Sequence, residues 1–515
     1  MNKIIRSSVE VTIVVFGIKV LGLIKQSVLA AYCGATAETD AFFIATGIIA
    51  AFCMIIFSAL AVSLLPLYNS RLKTEGKEYA NYMIKKVLLS FMFFSVVIIL
   101  LFWFCAPIIS QILAPTYNIL ERNILIQYLR ILSISFVFWC AFQTINVVLE
   151  SRNIFLPGKC QGFFQNLFLI IAAIIFYDQF GIIALIIAFL ASIIIQCVFE
   201  LIIVNRIWKV ETKDNINKKL CIQDIKTLVG LSIPLMLGNS IYEINDIIDK
   251  QIGTLLGEGK VSILTYSASI NEIVTGVVVS SIATVLFAHF SSLVAEKRKK
   301  QITTILDNAI NGTCIIILPI LIMCVVCGEQ IIRILYGRGS FGEQDIITTY
   351  YVVVGYAVGF VFQAWRSIFS RVFYAFQDTK IPMINGVVTV TINAILSYLL
   401  SKVMGVAGIS YATSIAMLFS TILLLSRMKK YLSEYSILKN MKEVLKAVVA
   451  AILVGIILYI VNRLFNNLNL YILFLVNGVL CVIGYIILLC VFHSKYMLEF
   501  IEIVSKYMDK LRSKR

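Results

Sequence analysis

Lys19, Lys25, Arg130, Lys250, Arg366 and Arg371 stand inside long apolar runs, as do the carboxylates Glu243, Asp246, Asp249 and Glu272. A charge in such surroundings costs at least a few kcal/mol unless it is paired or faces water, so each is a candidate for holding charged cargo or a coupling ion. Lys19 lies about eleven residues into its run, roughly 16 Å along a helix, between Gly17 and Gly22. Those glycines suit a bent helix lining a cavity or simple close packing. Glu243, Asp246, Asp249 and Lys250 fall at i, i+3, i+6 and i+7 and form one polar stripe on a helix. The stripe suits a structural network, with Lys250 paired to Asp246 one turn away, or a carboxylate that binds a cation. Glu272, beside Asn271, is a further carboxylate well inside a run. Arg130 and Arg371 lie near run ends, where snorkelling accounts for them.

This inventory offers electrostatic binding rather than bond making. The polar loops are short, no Gly-rich nucleotide motif is present, and the two histidines, His289 and His493, sit at the ends of apolar runs and suit a structural role. No enzymatic activity and no catalytic residue are expected. The 12 cysteines are scattered through apolar sequence and read as free thiols; the Cys324 and Cys327 pair lacks the second pair or nearby histidine that zinc chemistry needs.

The elements that position these charges must be membrane helices. A helix needs about 20 apolar residues to cross the hydrocarbon, and fourteen such stretches run from 9–33 to 470–493, the seventh at 228–256 and the eighth at 263–290. With 60% hydrophobic and 14% charged residues the composition is that of an all-α polytopic membrane protein. Continuous apolar runs without two-residue alternation exclude a β-barrel. Most of the 44 Lys and Arg fall in the N-terminus, the even-to-odd loops and the C-terminal tail, which places both termini in the cytoplasm. The net charge of +16 is concentrated in Lys297-Arg298-Lys299-Lys300, in the loop 206–226 and in the tail 495–515, read as anchors on anionic lipid and not as a nucleic-acid surface. The first run continues past Lys19 and Lys25 without a small-residue cleavage site and reads as a span. The tail around 497–510 is amphipathic enough to lie on the inner surface.

The chain also repeats itself. Pro157 and Pro382 close similar segments 225 residues apart, Gly181 and Gly405 open similar segments 224 apart, and Leu64-Leu65-Pro66-Leu67 has a weaker echo 222 residues later in Leu286-Phe287-Ala288-His289. Six spans separate the copies, an even number, so both halves enter the membrane in the same sense, as in a parallel repeat about the membrane normal. The expected organisation is an N-lobe over 1–204, a cytoplasmic linker over 205–227, a C-lobe over 228–426, a loop and two extra spans over 427–493, and a basic tail over 494–515. Two six-helix lobes around a cavity suit an alternating-access transporter.

At this point the residues resemble a known family. Lys19-Val20-Leu21-Gly22-Leu23-Ile24-Lys25, followed by Thr39-Asp40-Ala41-Phe42-Phe43, is similar to the opening signature of the MurJ/MviN lipid II flippases of the MOP exporter superfamily. Asp246-Ile247-Ile248-Asp249-Lys250, Leu255-Leu256-Gly257-Glu258-Gly259 and Tyr266 resemble its spans 7 and 8, and the segment from Phe373 to Pro382 resembles its motif after span 10. The resemblance implies a flippase in the bacterial cytoplasmic membrane that moves undecaprenyl-pyrophosphate-linked peptidoglycan precursor from the inner to the outer leaflet. Its cavity must supply cations to a diphosphate that cannot enter hydrocarbon unaided. Lys19 and Lys25 stand where the family usually carries arginines; lysine keeps the charge but loses the bidentate fork. Together with Asp40, Glu272 and Arg366 they form the expected substrate-binding set. Asp40 caps a helix or closes an outer gate on a span 1 lysine, with Thr39 as an alternative cap.

The chain departs from the family where span 2 usually carries a basic residue, near Cys53 and Met54 here, and where span 8 carries an arginine, matched by Ser269. Arg366 or Lys250 is a candidate to replace the missing charge. A flippase for another polyprenyl-pyrophosphate glycan, such as a capsular or exopolysaccharide unit, is therefore the runner-up, and a MATE-like cation or drug antiporter is a more distant reading. The resemblance also implies a sodium site at Asp249, Asn393 and Thr413, with Ser397 at a position usually acidic; membrane potential or proton coupling through Asp249 are alternatives. The expected partners are the lipid-linked glycan and membrane lipid, with no nucleic acid. The expected assembly is a monomer, with a cell-wall synthesis complex as a further association.

Overall fold

Lipid offers no water to an unpaired peptide group, so long apolar runs have one stable solution, the helix that satisfies its own backbone. The computed structural model describes residues 3–207, 218–433 and 435–498, and no strand occurs among them. The end of the tail and the middle of the basic linker, on which two of the anchors fall, lie outside the described residues.

Among the described residues, fourteen helical segments are long and apolar enough to cross a membrane. Spans 1 to 8 are Val14–Cys33, Ala37–Thr74, Gly76–Leu113, Ile119–Ser151, Leu156–Ile175, Ile182–Asn205, Lys219–Gly238 and Lys260–Ala295. Spans 9 to 14 are Lys299–Val326, Glu343–Ala375, Lys380–Met404, Val406–Met428, Ile437–Leu464 and Leu470–Val491. The seventh continues without a break to the end of the helix Lys218–Leu255. Large apolar side chains face outward, among them Phe104, Val403 and Leu475. On a soluble protein such a surface would aggregate; on a multi-pass membrane protein it is the lipid-facing side.

The repeat is visible in the backbone as well as in the sequence. Asn153 and Gln377, 224 residues apart, adopt φ of 61° and 60° where a helix ends. In each case the next amide donates five residues back, Ile154 to the Leu149 carbonyl and Asp378 to the Phe373 carbonyl, both at 3.0 Å. This is the left-handed helix stop, here without its usual glycine. Gly181 and Gly405 take φ of 58° and 60° before spans 6 and 12, a conformation that side chains resist. Spans 2 and 8 each contain a π-helical turn, Met54–Ser58 and Val274–Val279.

Contacts divide the chain into two units. The first comprises Met1–Thr265 with Arg338–Phe341; the second comprises Tyr266–Gly337 with Gly342–Arg515. The sequence reading began its second lobe with span 7, but in the structure span 7 packs on spans 2 and 3 within the first unit. An ion pair explains the attachment. Arg71, at the end of span 2, grips Asp224, near the start of span 7, through Nε and Nη2 at 3.0 and 2.7 Å. The Tyr79 hydroxyl donates to the same carboxylate at 2.7 Å, and Asp224 is only 2% exposed. In the second unit, Phe290, Trp365, Phe369 and Phe373 form a core onto which spans 13 and 14 pack. Asn477 donates to Asn462 at 2.6 Å, and Gln330 donates to it at 2.9 Å, tying those two spans to the short helix Gly328–Tyr336.

Candidate functional site

Inside the first unit lies a cavity of about 190 Å³ into which two basic residues project, Lys25 from span 1 and Lys250 from the helix of span 7. Span 2 supplies Phe42, Phe43, Thr46 and Gly47, and Gln165 of span 5 adds an amide. Lys250 is held by its own helix: Asp246, four residues earlier, accepts from Nζ at 2.8 Å. That pair is the network that the spacing of the stripe allows. Gly47 leaves room for the Lys250 ammonium in its present position; a Cβ there would overlap it and make the end of the side chain shift. The result is two cationic groups beside one small space, with the hydrogen-bonding side chains of Gln26, Thr46, Gln165 and Thr265 around it, an arrangement that favours an anion.

The other expected residues are dispersed. Lys19 is half-buried on span 1 and does not line this cavity; six residues from Lys25, it sits roughly 120° around the helix and about 9 Å along it. Of its flanking glycines, Gly22 is a packing site, since a Cβ there would touch Asn166 of span 5, whose amide donates to the Ile18 carbonyl at 3.2 Å. Gly17 has open space around it.

Asp40 is fully buried, and among the described residues it neither caps its own helix nor pairs with a lysine. Thr36 caps span 2, accepting from the Thr39 amide at 3.2 Å, while the Thr39 hydroxyl donates to the Cys33 carbonyl at 3.1 Å. The Asp40 carboxylate instead accepts the Ser262 amide at 2.7 Å and the Ser262 hydroxyl, capping the start of span 8. The helix rule anticipated a local cap; the side chain found exposed amides on a neighbouring helix instead. The approach is close, because a Cβ on Gly259 would strike the Ala35 carbonyl.

Asp249 is buried and accepts from Asn245 at 3.1 Å. In the second unit, Asn393 donates to Thr413 at 2.9 Å and accepts from Ser397 at 3.2 Å. The three residues named for sodium on spans 11 and 12 thus converge, but their oxygens are engaged with one another and the cluster is neutral. Asp249 belongs to the other unit. No group of three or more His, Cys, Asp or Glu suited to a metal occurs among the described residues. Arg366 donates from Nε to Ser420 at 2.8 Å within the second unit, and Glu272 is exposed on span 8. Arg130 rests over the ring of Trp103, and Arg371 over Phe287 and Tyr374.

Sequence reasoning singled out Lys250 but not its place, and missed Gly47 and the Arg71, Tyr79 and Asp224 cluster. A glycine inside an apolar span opposite a lysine on another span leaves no one-dimensional signal.

The lipid II flippase MurJ family model matches residues 29–480. The probable lipid II flippase MurJ of Rickettsia prowazekii (strain Madrid E) is 25% identical over 424 residues, covering 82% of this chain and 83% of that protein. The probable lipid II flippase MurJ of Buchnera aphidicola subsp. Acyrthosiphon pisum (strain APS) is 26% identical over 483 residues, covering 91% and 92%. Among solved structures, a lipid II flippase MurJ in an inward closed conformation superposes with a TM-score of 0.81 at 22% identity, covering 94% of this chain and 99% of that one. An inward-facing MATE multidrug transporter of the MOP superfamily gives 0.67 at 15% identity, covering 81% and 96%. With fourteen spans among the described residues, two basic residues in one cavity and a family match across most of its length, the chain belongs to the lipid II flippase MurJ family.

Proposed function

We propose that this protein is a lipid II flippase, carrying the polyprenyl-diphosphate-linked peptidoglycan precursor across the cytoplasmic membrane by alternating access, with Lys25 and Lys250 receiving the diphosphate. The observation that carries the reading is the presence of both lysines in one small cavity, beside the amides and hydroxyls of Gln26, Thr46, Gln165 and Thr265. At about 190 Å³ it is below the roughly 300–1,000 Å³ of a drug-sized pocket. It suits the charged link of the substrate; the sugar-peptide head and the lipid tail must lie elsewhere. No covalent bond is made or broken in this reading. Both termini lie in the cytoplasm, supported by the distribution of Lys and Arg, and a monomer, with or without cell-wall synthesis partners, suffices.

The ion pair suits a reversible hand-over. Asp246 is 56% exposed on its side chain, and pairs of that kind contribute about 0–1 kcal/mol. A diphosphate can displace such a carboxylate from Lys250 at small cost, and on release Asp246 recaptures the ammonium. Lys250 thereby supplies on span 7 a charge that the family usually carries near Cys53 or at Ser269.

A flippase for another polyprenyl-diphosphate glycan remains the second reading, since the lysine pair reads the phosphates and not the sugars. An organic-cation antiporter is disfavoured by the same pair. Sodium coupling through Asp249, Asn393, Thr413 and Ser397 is a separate proposal, tested by the sodium dependence of transport in vesicles clamped at fixed membrane potential; equal rates in sodium and potassium would remove it. The main test is to deplete the native lipid II flippase of a bacterial host, express this chain and quantify lipid II on the outer leaflet. Restored exposure that is lost in Lys25→Ala and Lys250→Ala supports the proposal. Absence of exposure from a correctly inserted protein moves the assignment to another glycan.

A further inference from the structure

A second and larger cavity, of about 670 Å³, opens in the second unit where span 11 begins and span 12 ends. Lys380, Arg427 and Lys430 stand at its mouth, with Asp378 as the carboxylate among them. That carboxylate is fully engaged. One oxygen accepts the backbone amides of Lys380 and Ile381, each at 3.1 Å, and the other accepts from Lys430 at 2.9 Å and from the Tyr431 hydroxyl at 2.8 Å. Lys380 and Arg427 are exposed and have no ion-pair partner among the described residues.

Deeper in, Asn385 is 5% exposed; its amide nitrogen donates to Ser420 at 2.6 Å, but its carbonyl oxygen has no partner among the described residues. A buried acceptor without a donor is costly, so a small local adjustment at this wall would be rewarded by a hydroxyl or amine of a bound molecule. Apart from Ser426, the remaining walls are apolar. Ile381, Ile384, Val388 and Leu423 line the cavity, and Ile384 and Leu423 are 48% and 37% exposed.

From cations at the mouth, an orphan acceptor below them and an aliphatic groove, we propose that this cavity holds the headgroup of an anionic phospholipid bearing a free hydroxyl, of the phosphatidylglycerol type. The phosphate diester lies against Lys380 and Arg427, a glycerol hydroxyl donates to Asn385, and an acyl chain follows Ile384 and Val388. Free phosphate would satisfy the cations and leave the groove uncovered. An ethanolamine headgroup would bring its own ammonium against Lys380 and Arg427. The site is separate from the lysine cavity of the first unit and is read out by lipid retention, so its failure is distinguishable from failure of the flippase reading.

The test uses the full-length protein in detergent, titrated with phosphatidylglycerol or phosphatidylethanolamine and read by native mass spectrometry. The intact protein should retain phosphatidylglycerol in preference. The Lys380→Ala/Arg427→Ala variant, altered only at exposed side chains, should retain at least about tenfold less, given the usual strength of basic residues on anionic lipid. A photo-crosslinking side chain at position 384 should label a phosphatidylglycerol acyl chain, and the same double variant should abolish the label. Equal retention of the two lipids, or retention unchanged in a variant with an unaltered melting temperature, overturns the proposal. So does displacement by millimolar glycerol phosphate, which would make the site a soluble-phosphate site. Displacement by an equimolar polyprenyl diphosphate would assign the cavity to transported lipid and overturn it equally.

Discussion

The Lys250 ammonium lies where a side chain on Gly47 would have to go. A lysine on span 7 meets at the cavity a residue on span 2 that has no side chain, so the two positions are in direct contact. Gly47→Ala should therefore displace the Lys250 ammonium, a small shift for the end of a flexible side chain, and reduce transport modestly while leaving insertion intact. In a Lys250→Ala background the same change should cost nothing further, because contacting residues couple and distant ones do not. Transport assays on the four-member cycle measure this, and additive losses would show that Gly47 acts independently of Lys250.

Under the proposed function, Asp246, which pairs with Lys250, would compete with the diphosphate for its ammonium. Asp246→Asn should leave the melting temperature nearly unchanged, since an exposed pair is worth about 0–1 kcal/mol, and should tighten diphosphate binding while slowing release. The signature is a lower half-saturation for lipid substrate with a lower turnover. A rise in half-saturation would mean that Asp246 positions Lys250 productively instead of restraining it.

Arg71 and Asp224 should dominate the stability of the span 2 and span 7 contact. Arg71→Ala leaves the Asp224 carboxylate, 2% exposed, without its cation, and removing one partner of a buried pair costs about 3–5 kcal/mol. Tyr79→Phe removes one hydrogen bond to a charged group, about 1.5–3 kcal/mol. Unfolding in detergent should rank Arg71→Ala below Tyr79→Phe. The reverse order would locate the strength of the cluster in the tyrosine.

Asp40 distinguishes a tie between helices from a charged gate. An amide oxygen can still accept the Ser262 amide, so Asp40→Asn should fold and transport near normally if the residue works as the cap seen here. Asp40→Ala removes the cap and should cost about 0.5–2 kcal/mol, seen as a lower melting temperature. Loss of transport in Asp40→Asn at normal stability would restore the gate.

The fourteen spans were legible because an apolar run of that length has a single stable backbone in lipid, and the repeat was legible because helix stops at Asn153 and Gln377 need particular local sequence. The membership of span 7 was not. The repeat places it with the second half, yet the buried pair between Arg71 and Asp224, 153 residues apart, binds it to the first. The polar stripe from Glu243 to Lys250 was visible, but its division was not: Asp246 and Lys250 pair at the cavity, while Asp249 turns inward to Asn245. Helix rotation decides that division, and rotation is set by neighbours that spacing along one helix does not reveal. The Asp40 cap was missed for a related reason, since its partner lies 222 residues away.

The π-helical turns of spans 2 and 8 bear on how the chain tolerates changes of length. Such a turn carries one residue more than an α-helical turn and is the usual trace of a single inserted residue. Deleting one residue within Met54–Ser58 should let that stretch close into ordinary α-helix, with the flanking helices kept nearly in phase. The same deletion in the regular helix just before it would rotate everything beyond by about 100°. The two turns are thus places where an indel is absorbed locally, and surveys of related sequences should find their gaps within these spans gathered there.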